Sequence, residues 1–509
     1  MERHDVVIVG AGPTGLVLAM WLANQGVDVC VVDKTAGPGT TSRALGVQAR
    51  TLELYRQLDL ADDVVAAGNP DTAINLWVKG KRAAHVSFGD AGAKITPYPF
   101  VLIYPQDQHE QFLIERLEKM GVTVQRNTEM LGFEDKGGHV AVRLRGPDGT
   151  ERVCEAGYVA GCDGARSTTR HLLGAGFAGG TYERIFYVAD VDVSGQAANG
   201  EIHLSLEQAD FVALFAYSRD GHRARLIGTV LEDHVGQAET LTFDDVGHRA
   251  IDALKLQVDK VNWFSTYRVH HRVTDRYRRG RVFLLGDAAH IHSPAGAQGM
   301  NTGIGDAINL AWKLKAVLKG EAPDSLLDSY EIERLAFAKK LVDTTDRMFT
   351  FVTHEGNFAD FVRTHIAPMF ATVAFSIEAV REFQFRVISQ VLINYHDSPV
   401  SEGKAGEVRG GDRLPWVVAD GQDNYAPLHT IGWQVHVYGA AQTGLDKWCE
   451  QNGVPLRVFE WSEEYKEAGL ARDAAYLLRP DTYVALAESS GSADALARYF
   501  RERGLVART

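Results

Sequence analysis

Residues Gly280–Leu314 read GRVFLLGDAAHIHSPAGAQGMNTGIGDAINLAWKL. Arg281–Leu285 reads as a buried strand, apolar without a break from Val282 onward. Gly286-Asp287 ends it. Gly296, Gly299, Gly303 and Gly305 leave the backbone bare where it must come close to a neighbour. Helical spacing is predicted from Asp306 to Leu314. His290 and His292 sit two apart between apolar residues, with no further residue at metal-ligand spacing, so no metal is expected.

Working outward, the N-terminal stretch DVVIVGAGPTGLVLAMWLANQG has the same grammar. Val6–Val9 is apolar, Gly10-Ala11-Gly12-Pro13-Thr14-Gly15 breaks it, Leu16–Asn24 is helical, and Val27–Val32 is a strand ending at Asp33. Strand, glycine turn, helix, strand and acid together form a dinucleotide fingerprint. Gly10 permits the turn, Gly12 lets the backbone approach a pyrophosphate, and Gly15 lets helix and strand pack. The helix N-terminus offers N–H groups to phosphate, and Asp33 stands where a carboxylate binds ribose hydroxyls. Two such segments far apart in the chain point to one dinucleotide held from both ends.

Arg43 follows the fingerprint closely enough to reach the same phosphates, although its spacing also fits a solvated arginine. Ile74–Val78 and Ala84–Phe88 alternate polar and apolar residues and belong to a second sheet. A helix over Gln108–Met120, a strand at Val122–Gln125 and a hairpin through Gly146–Gly149 follow. Val153–Ala160 runs into GCDGARS, which is either a cofactor-facing turn or a plain Asp-Gly turn. Residues 182–275 are mostly strands. In Phe211–Tyr217, Phe211, Ala213, Phe215 and Tyr217 share one face. That face either floors a pocket for a planar substrate or is simply core. Leu326–Lys340 is helical, residues 341–395 are mostly helical and aromatic-rich, Gly403–Gly411 reads as a linker, and residues 412–509 alternate strands and helices as a small α/β domain.

The 509 residues carry 45% hydrophobic and 23% charged side chains, an ordinary globular balance that permits two or three domains. A net charge of −13 disfavours nucleic acid and anionic membrane surfaces as partners. The four cysteines, Cys30, Cys154, Cys162 and Cys449, form no CxxC pair and read as free thiols in a reduced, cytoplasmic setting. The glycines at the N-terminus interrupt any signal-peptide run, and no stretch approaches a membrane span.

GAGPTG with Asp33, GCDGARS and the Gly280–Leu314 stretch, joined by SRALGVQARTLE, YPQDQHE and LLDSYEIER, resemble the three FAD motifs and flanking segments of class A flavoprotein monooxygenases, the aromatic hydroxylases. GDRLPW and LLRPDTYVAL resemble the start and the closing strand region of the redox-silent thioredoxin-like domain of members acting on phenols, aromatic polyketides and rifampicin-type substrates. The resemblance implies an α/β fold: a Rossmann-like FAD-binding domain (1–71, 101–176, 276–345), an inserted α+β substrate domain with a mixed sheet (72–100, 177–275) with helices 346–400 beside it, and a thioredoxin-like domain (401–509). It implies tightly bound, non-covalent FAD, NAD(P)H as a transient co-substrate, O2, a small aromatic substrate, and a homodimer as the family habit. FAD would be held by Gly10, Gly12, Pro13, Thr14 and Gly15 at the pyrophosphate, Asp33 and Lys34 at the adenosine ribose, Arg43 and Gln106 at the pyrophosphate and ribityl regions, and Met130 at adenine. Asp163 of the second motif and Gly286 of the third would also face the cofactor, Asp287 would bind its ribityl or phosphate part, Pro294 would lie beside the reactive edge of the flavin, and the backbone of Gly299, Met300 and Asn301 would bind the pyrimidine end of the ring. Gln48 stands where several relatives carry His.

The implied cycle reduces FAD with NAD(P)H, forms a flavin C4a-hydroperoxide with O2, and transfers oxygen to an electron-rich ring. Tailoring of an aromatic polyketide or antibiotic, including Baeyer–Villiger insertion, shares every motif. The site must exclude water and favour the phenolate. Tyr217, His203 and Arg225 lie on predicted strands of the substrate sheet and are candidates for contacting the substrate. Asp287→Ala is expected to lose FAD on purification, and Pro294→Gly to keep FAD but release more peroxide per NAD(P)H. Flavin absorbance and a coupled peroxide assay measure the two.

Overall fold

The computed structural model describes residues 2–39, 44–71, 73–87, 89–207, 210–230, 241–292, 298–353 and 378–506. Arg43, Pro294 and the aromatic-rich part of 346–400 that holds Phe358, Phe361, Phe370 and Phe375 lie outside them.

Strand β1 (Glu2–Val9), helix α1 (Pro13–Asn24) and strand β2 (Val29–Val32) form the first βαβ unit. Most of α1 is buried, consistent with its nearly continuous apolar sequence. Next come β3 (Gly46–Val47), α2 (Ala49–Tyr55) and β4 (Asn69–Asp71). Then β5 (Ala73–Val78) and β6 (Lys81–Ser87) leave for another sheet before β7 (Val101–Ile103) returns. β3 and β4 both pair with β7 in a three-stranded ladder. Helix α3 (Gln106–Lys119), β8 (Val124–Gln125), the hairpin β9 (Glu129–Asp135) and β10 (Val140–Arg145), and β11 (Glu151–Gly161) bring the chain back beside β1.

Helix α4 (Thr168–Leu173) precedes β12 (Phe177–Gly195), β13 (Ile202–Glu207), β14 (Asp210–Ala216), β15 (Arg223–Thr229), α5 (Arg249–Ala253) and β16 (Leu256–Thr274). The chain then adds β17 (Arg278–Arg279), β18 (Val282–Leu284), β19 (His290–Ile291), α6 (Gly299–Leu318), α7 (Asp328–Thr353) and α8 (Glu378–Ile388). The first sheet runs β17-β18-β11-β1-β2-β8, with β10 and β9 branching from β11. Its core is parallel, as buried βαβ sheets are. The second runs β19-β16-β12-β15-β14-β13-β5-β6 and is mainly antiparallel. This is an α/β fold of a Rossmann-like nucleotide domain with an inserted substrate domain. No helix among the described residues is long and apolar enough to cross a membrane.

Two sequence-based boundaries are corrected. Helix α6 begins at Gly299 rather than Asp306, because the glycines lie inside its first two turns, where the helix touches α1 and the end of β18. Gly403–Gly411 is not a linker. It forms the edge hairpin β20 (Glu402–Ala405) and β21 (Val408–Arg409) of a C-terminal sheet. Its glycines serve close approach: a Cβ on Gly410 would sit 2.2 Å from the Glu402 nitrogen. The rest of the sheet is β22 (Gln434–Tyr438), β23 (Leu456–Phe459), β24 (Ala475–Leu478) and β25 (Val484–Glu488), in the order β21-β20-β25-β24-β22-β23. Helices α9 (Leu445–Asn452) and α10 (Ala493–Arg503) pack on it.

Buried charges lock this C-terminal unit to the nucleotide domain. Glu333 of α7 accepts hydrogen bonds from Arg479 at 2.7 and 3.1 Å, from Lys313 of α6 at 2.8 Å and from Ser398 at 2.6 Å. Arg479 also pairs with Asp481, which accepts from Trp312. Burial works to raise the Glu333 pKa, but Arg479 and Lys313 overcome it and hold the carboxyl below its ordinary range. Burial lowers Lys313 to about 8 despite Glu333. Removing Glu333 leaves two buried cations to share one acid. Glu333→Ala is expected to cost about 3–5 kcal/mol of stability, measurable as a lowered urea midpoint at constant m-value.

Candidate active site

Three loops meet at the C-terminal ends of β1, β11 and β18. A Cβ on Gly10 (φ +106°) would lie 2.2 Å from the Cys162 carbonyl oxygen, and one on Gly303 would lie 2.3 Å from Thr14 Oγ1. The Gly10–Gly15 loop thus meets the GCDG turn backbone to backbone and the first turns of α6 through the Thr14 side chain, and the glycines are what allow it. Gly12 differs, because a Cβ there would meet nothing within 4 Å. It caps α1 without a side-chain hydrogen bond, and no acid stands in the first turn. Open space in front of an uncompensated positive helix end fits a pyrophosphate.

At the end of β2, Asp33 Oδ2 accepts from the Ala11 N–H at 2.7 Å, and Oδ1 accepts from Thr35 N at 2.8 Å and Thr35 Oγ1 at 2.6 Å. Arg126 stands 3.8 Å from Oδ1. Lys34 is exposed beside it. Gln106 opens α3, with its Nε2 donating to Glu110 at 2.6 Å. Met130 is buried on β9. Asp163 accepts from Ser167 Oγ at 2.5 Å and from Thr169 N and Oγ1 at 2.9 and 3.0 Å, so its carboxylate braces the start of α4.

Gly286 (φ +56°) starts a single 3-10 turn that leaves Asp287 exposed at the end of β18. A buried carboxylate missed in the sequence analysis fixes this turn. Asp306 Oδ2 accepts from Gly286 N at 3.0 Å and from His290 Nε2 at 2.7 Å, while Oδ1 accepts from Arg334 Nε at 2.6 Å. Burial works to raise its pKa. Arg334 and His290 prevail and hold it below the ordinary carboxylate value. His290 therefore serves as an internal partner. The signal was present in the sequence: Asp306 is the sole acid in Gly299–Leu318, and Arg334 closes LLDSYEIER.

Gly299 and Met300 are half-buried at the start of α6. Asn301 is 1% exposed, and its side chain points into protein. Oδ1 accepts from Gln48 N at 2.9 Å and Thr51 Oγ1 at 2.8 Å, and Nδ2 donates to the Gly46 carbonyl at 2.8 Å. Its backbone is what remains for a ligand at this helix start.

The second sheet separates its faces cleanly. Tyr187, Ala189, Val191, Leu214 and Leu226 pack with Ile251 and Leu254 around α5. The other face presents Ile202, Leu204, Phe215 and Tyr217 to Leu45, Val101 and Ile103 of the β3-β7-β4 region. Tyr217 is half-buried just beyond β14, and burial raises its pKa, helped by Asp190. Arg225 lies opposite Phe215 and forms a two-point pair with Asp190 at 2.7 and 2.8 Å, with its guanidinium 5.9 Å from the Trp263 ring centre. His203 is a correction. It points to the opposite face, where Trp77 Nε1 donates to Nδ1 at 2.9 Å and Nε2 meets Asn199 Oδ1 at 2.8 Å. Burial lowers its pKa to about 4, so it stays neutral in the core. Gly303→Val is expected to drive the Gly286 turn and Thr14 apart and to yield protein with little or no FAD, read from the flavin-to-protein absorbance ratio.

A sequence profile described as an FAD binding domain matches residues 3–345. The chain is 35% identical to 6-methylpretetramide 4-monooxygenase of Streptomyces rimosus over 80% of its length and 73% of the relative's. It is 32% identical to rifampicin monooxygenase of Rhodococcus hoagii over 94% of each chain. Among solved structures, an aklavinone-11 hydroxylase crystallised with FAD and aklavinone superposes with a TM-score of 0.77 at 27% identity, covering 99% of both chains. Glycine-built nucleotide cleft, inserted sheet and extended similarity agree: the chain belongs to the FAD-dependent, NAD(P)H- and O2-using aromatic monooxygenases.

Proposed function

We propose that this enzyme hydroxylates a planar, electron-rich aromatic of the fused-ring polyketide type, bound on the half-buried face of the second sheet. The observation that carries this reading is the β3-β7-β4 ladder. On one side it is bonded to the first turn of α6, through Asn301 and Gly46. On the other it packs against Ile202, Leu204, Phe215 and Tyr217. An aromatic-floored surface is thereby held at a fixed offset from the cofactor cleft. The relatives' substrates, 6-methylpretetramide and aklavinone, are of this class by name.

Gly10, Gly12, Pro13, Thr14 and Gly15 would receive the FAD pyrophosphate, with Asp33 and Lys34 on the adenosine ribose, Gln106 and Asp163 beside the cleft, and Met130 at adenine. Gly286 and Asp287 would hold the ribityl side. The backbone of Gly299, Met300 and Asn301 would border the flavin ring. Arg43 and Pro294, outside the described residues, complete the proposed set. FAD held there would supply the redox chemistry by which NAD(P)H and O2 give one oxygen atom to the ring. The protein's part is to seat the ring flat on Phe215 and Tyr217, keep water away with Ile202 and Leu204, and present a neutralised Arg225–Asp190 pair to polar substituents.

We propose the limits 1–71, 101–176 and 276–345 for the cofactor domain, and 72–100 and 177–275 for the substrate domain; the division of strands between the two large sheets supports them, with β19 crossing over to pair with β16. Helix α8 brings Phe385 against Gly92, supporting a place for part of 346–400 beside the substrate region. For 401–509 we propose a thioredoxin-like unit without redox thiols. A parallel β22-α9-β23 pair, an antiparallel β24-β25 hairpin and the closing α10 support it.

The test is a screen of NAD(P)H consumption under O2 with phenols, hydroxypyridines and fused-ring polyketides. A fused-ring phenol should accelerate consumption and gain one ring oxygen by mass. A lactone or ring-opened product would instead indicate Baeyer–Villiger insertion, and absence of stimulation by every aromatic would defeat the proposal.

A further inference from the structure

The carboxyl of Asp71 stands at the joint between the β3-β7-β4 ladder and the substrate sheet. In β4, Asp71 lies opposite Val101 and Asn69 opposite Ile103. Opposed residues of an antiparallel pair share a face. Val101 and Ile103 are the ladder side chains that meet Ile202, Leu204, Phe215 and Tyr217. Asp71 therefore issues on the side of the proposed substrate surface. Asn69 fastens the joint, with Nδ2 donating to the carbonyls of Gly200 and Ala216 at 3.0 Å each.

The two oxygens of Asp71 are treated differently. Oδ1 accepts from Ala73 N at 2.9 Å. Oδ2 is buried and has no hydrogen-bond partner among the described residues, in a side chain only 4% exposed overall. An ionised oxygen in that position is costly unless a donor or a proton arrives. Among the described residues no cation acts on it. β13 begins beside Glu201, which repels a second negative charge and is itself held by Asn75 at 2.7 Å and Asn199 at 3.1 Å. β7 places Val101 opposite it, β5 brings the Ala73 N–H, and β13 brings the Ile202 N–H. Burial, with a smaller contribution from Glu201, pushes the carboxyl up to about 7 against the pull of the Ala73 N–H and, more weakly, the Ile202 N–H at the start of β13. An acid in that range trades protons readily with a bound phenol and with solvent.

We propose that Asp71 is the proton-relay residue of the substrate site, its Oδ2 receiving through hydrogen-bonded water the proton released by a ring hydroxyl. The ring O–H bond breaks and its electron pair stays on the ring oxygen as phenolate. The proton forms the O–H of Asp71, which becomes neutral. That proton then passes to bulk water, restoring the carboxylate. The phenolate feeds electron density into the ring at the moment oxygen is transferred. The inference rests on the aromatic-hydroxylase reading given above.

The test compares FAD-loaded wild type, Asp71→Asn and Asp71→Glu between about pH 5 and 9. The probe is alizarin, a hydroxyanthraquinone whose phenolate absorbs at longer wavelength. In wild type, bound alizarin should ionise and kcat for NAD(P)H oxidation should rise along one limb centred near neutrality. Asp71→Asn should keep its FAD and bind alizarin within about threefold, yet lose that limb, with kcat at neutral pH lowered about 10²-fold. Asp71→Glu should retain the limb at a displaced pH, which a purely structural role would not do. Infrared difference spectra, independent of any substrate, should show a carboxylic-acid band titrating near neutrality in wild type and missing from Asp71→Asn. An unchanged pH limb in Asp71→Asn, or no such band in wild type, overturns the relay. Failure of alizarin and all other aromatics to stimulate wild type overturns the underlying reading instead.

Discussion

One carboxylate ties the working parts of this molecule together. Asp306 receives the Gly286 N–H from the end of the nucleotide sheet, His290 from the edge strand of the substrate sheet, and Arg334 from α7. Arg334 reaches on to Tyr395 and to the Thr302 carbonyl. A single buried negative charge thus sets the turn that presents Asp287, the start of α6 and the seam between the two sheets. Buried carboxylates persist only where the surroundings replace the water they lose. Here each oxygen is satisfied by a different structural element, so displacing any one of them leaves a charge unsolvated. The arrangement converts electrostatic necessity into geometric definition.

The C-terminal unit extends the same logic. Its Arg479 and Asp481 join Glu333, Lys313 and Trp312, while Arg413 pairs with Glu53 of α2. Helix α6 therefore carries the cofactor-side residues Gly299–Asn301 at its start and the contacts with the C-terminal unit further along. Helix α2 likewise offers Thr51 to Asn301 and Arg50 and Glu53 to the C-terminal residues. A domain without a redox thiol pair can still matter to the active site by holding two of the helices that frame it.

The substrate sheet shows how little a strand's existence says about its use. β14 was visible as an alternating strand and β13 only as part of a strand-rich region, yet one residue of register separates Leu204, which faces the β3-β7-β4 ladder, from His203, sealed under Trp77. Asp71 is the converse case. Nothing in NPDTAINLW marks it, and it becomes notable only because β4 and the substrate sheet bury its second oxygen without a donor.

By itself the sequence determined the nucleotide cleft. GAGPTG in its strand–turn–helix setting and the Gly286–Gly305 spacing have few other physical uses, since glycines there answer local demands on φ and on backbone approach, whereas GCDG alone fitted a plain Asp-Gly turn as well. The same locality made the βαβ unit, the inserted strands and the C-terminal α/β alternation legible. Tertiary structure alone decided where α6 starts, because its glycines look like a loop until Thr14 and Gly286 are placed against them. It also turned Gly403–Gly411 from a linker into a sheet edge, paired Asp306 with Arg334 and Glu333 with Arg479, and chose which face of β13 meets the β3-β7-β4 ladder. Each of these depends on a partner distant along the chain, and hydrogen-bond satisfaction and register across such distances are properties of the folded whole.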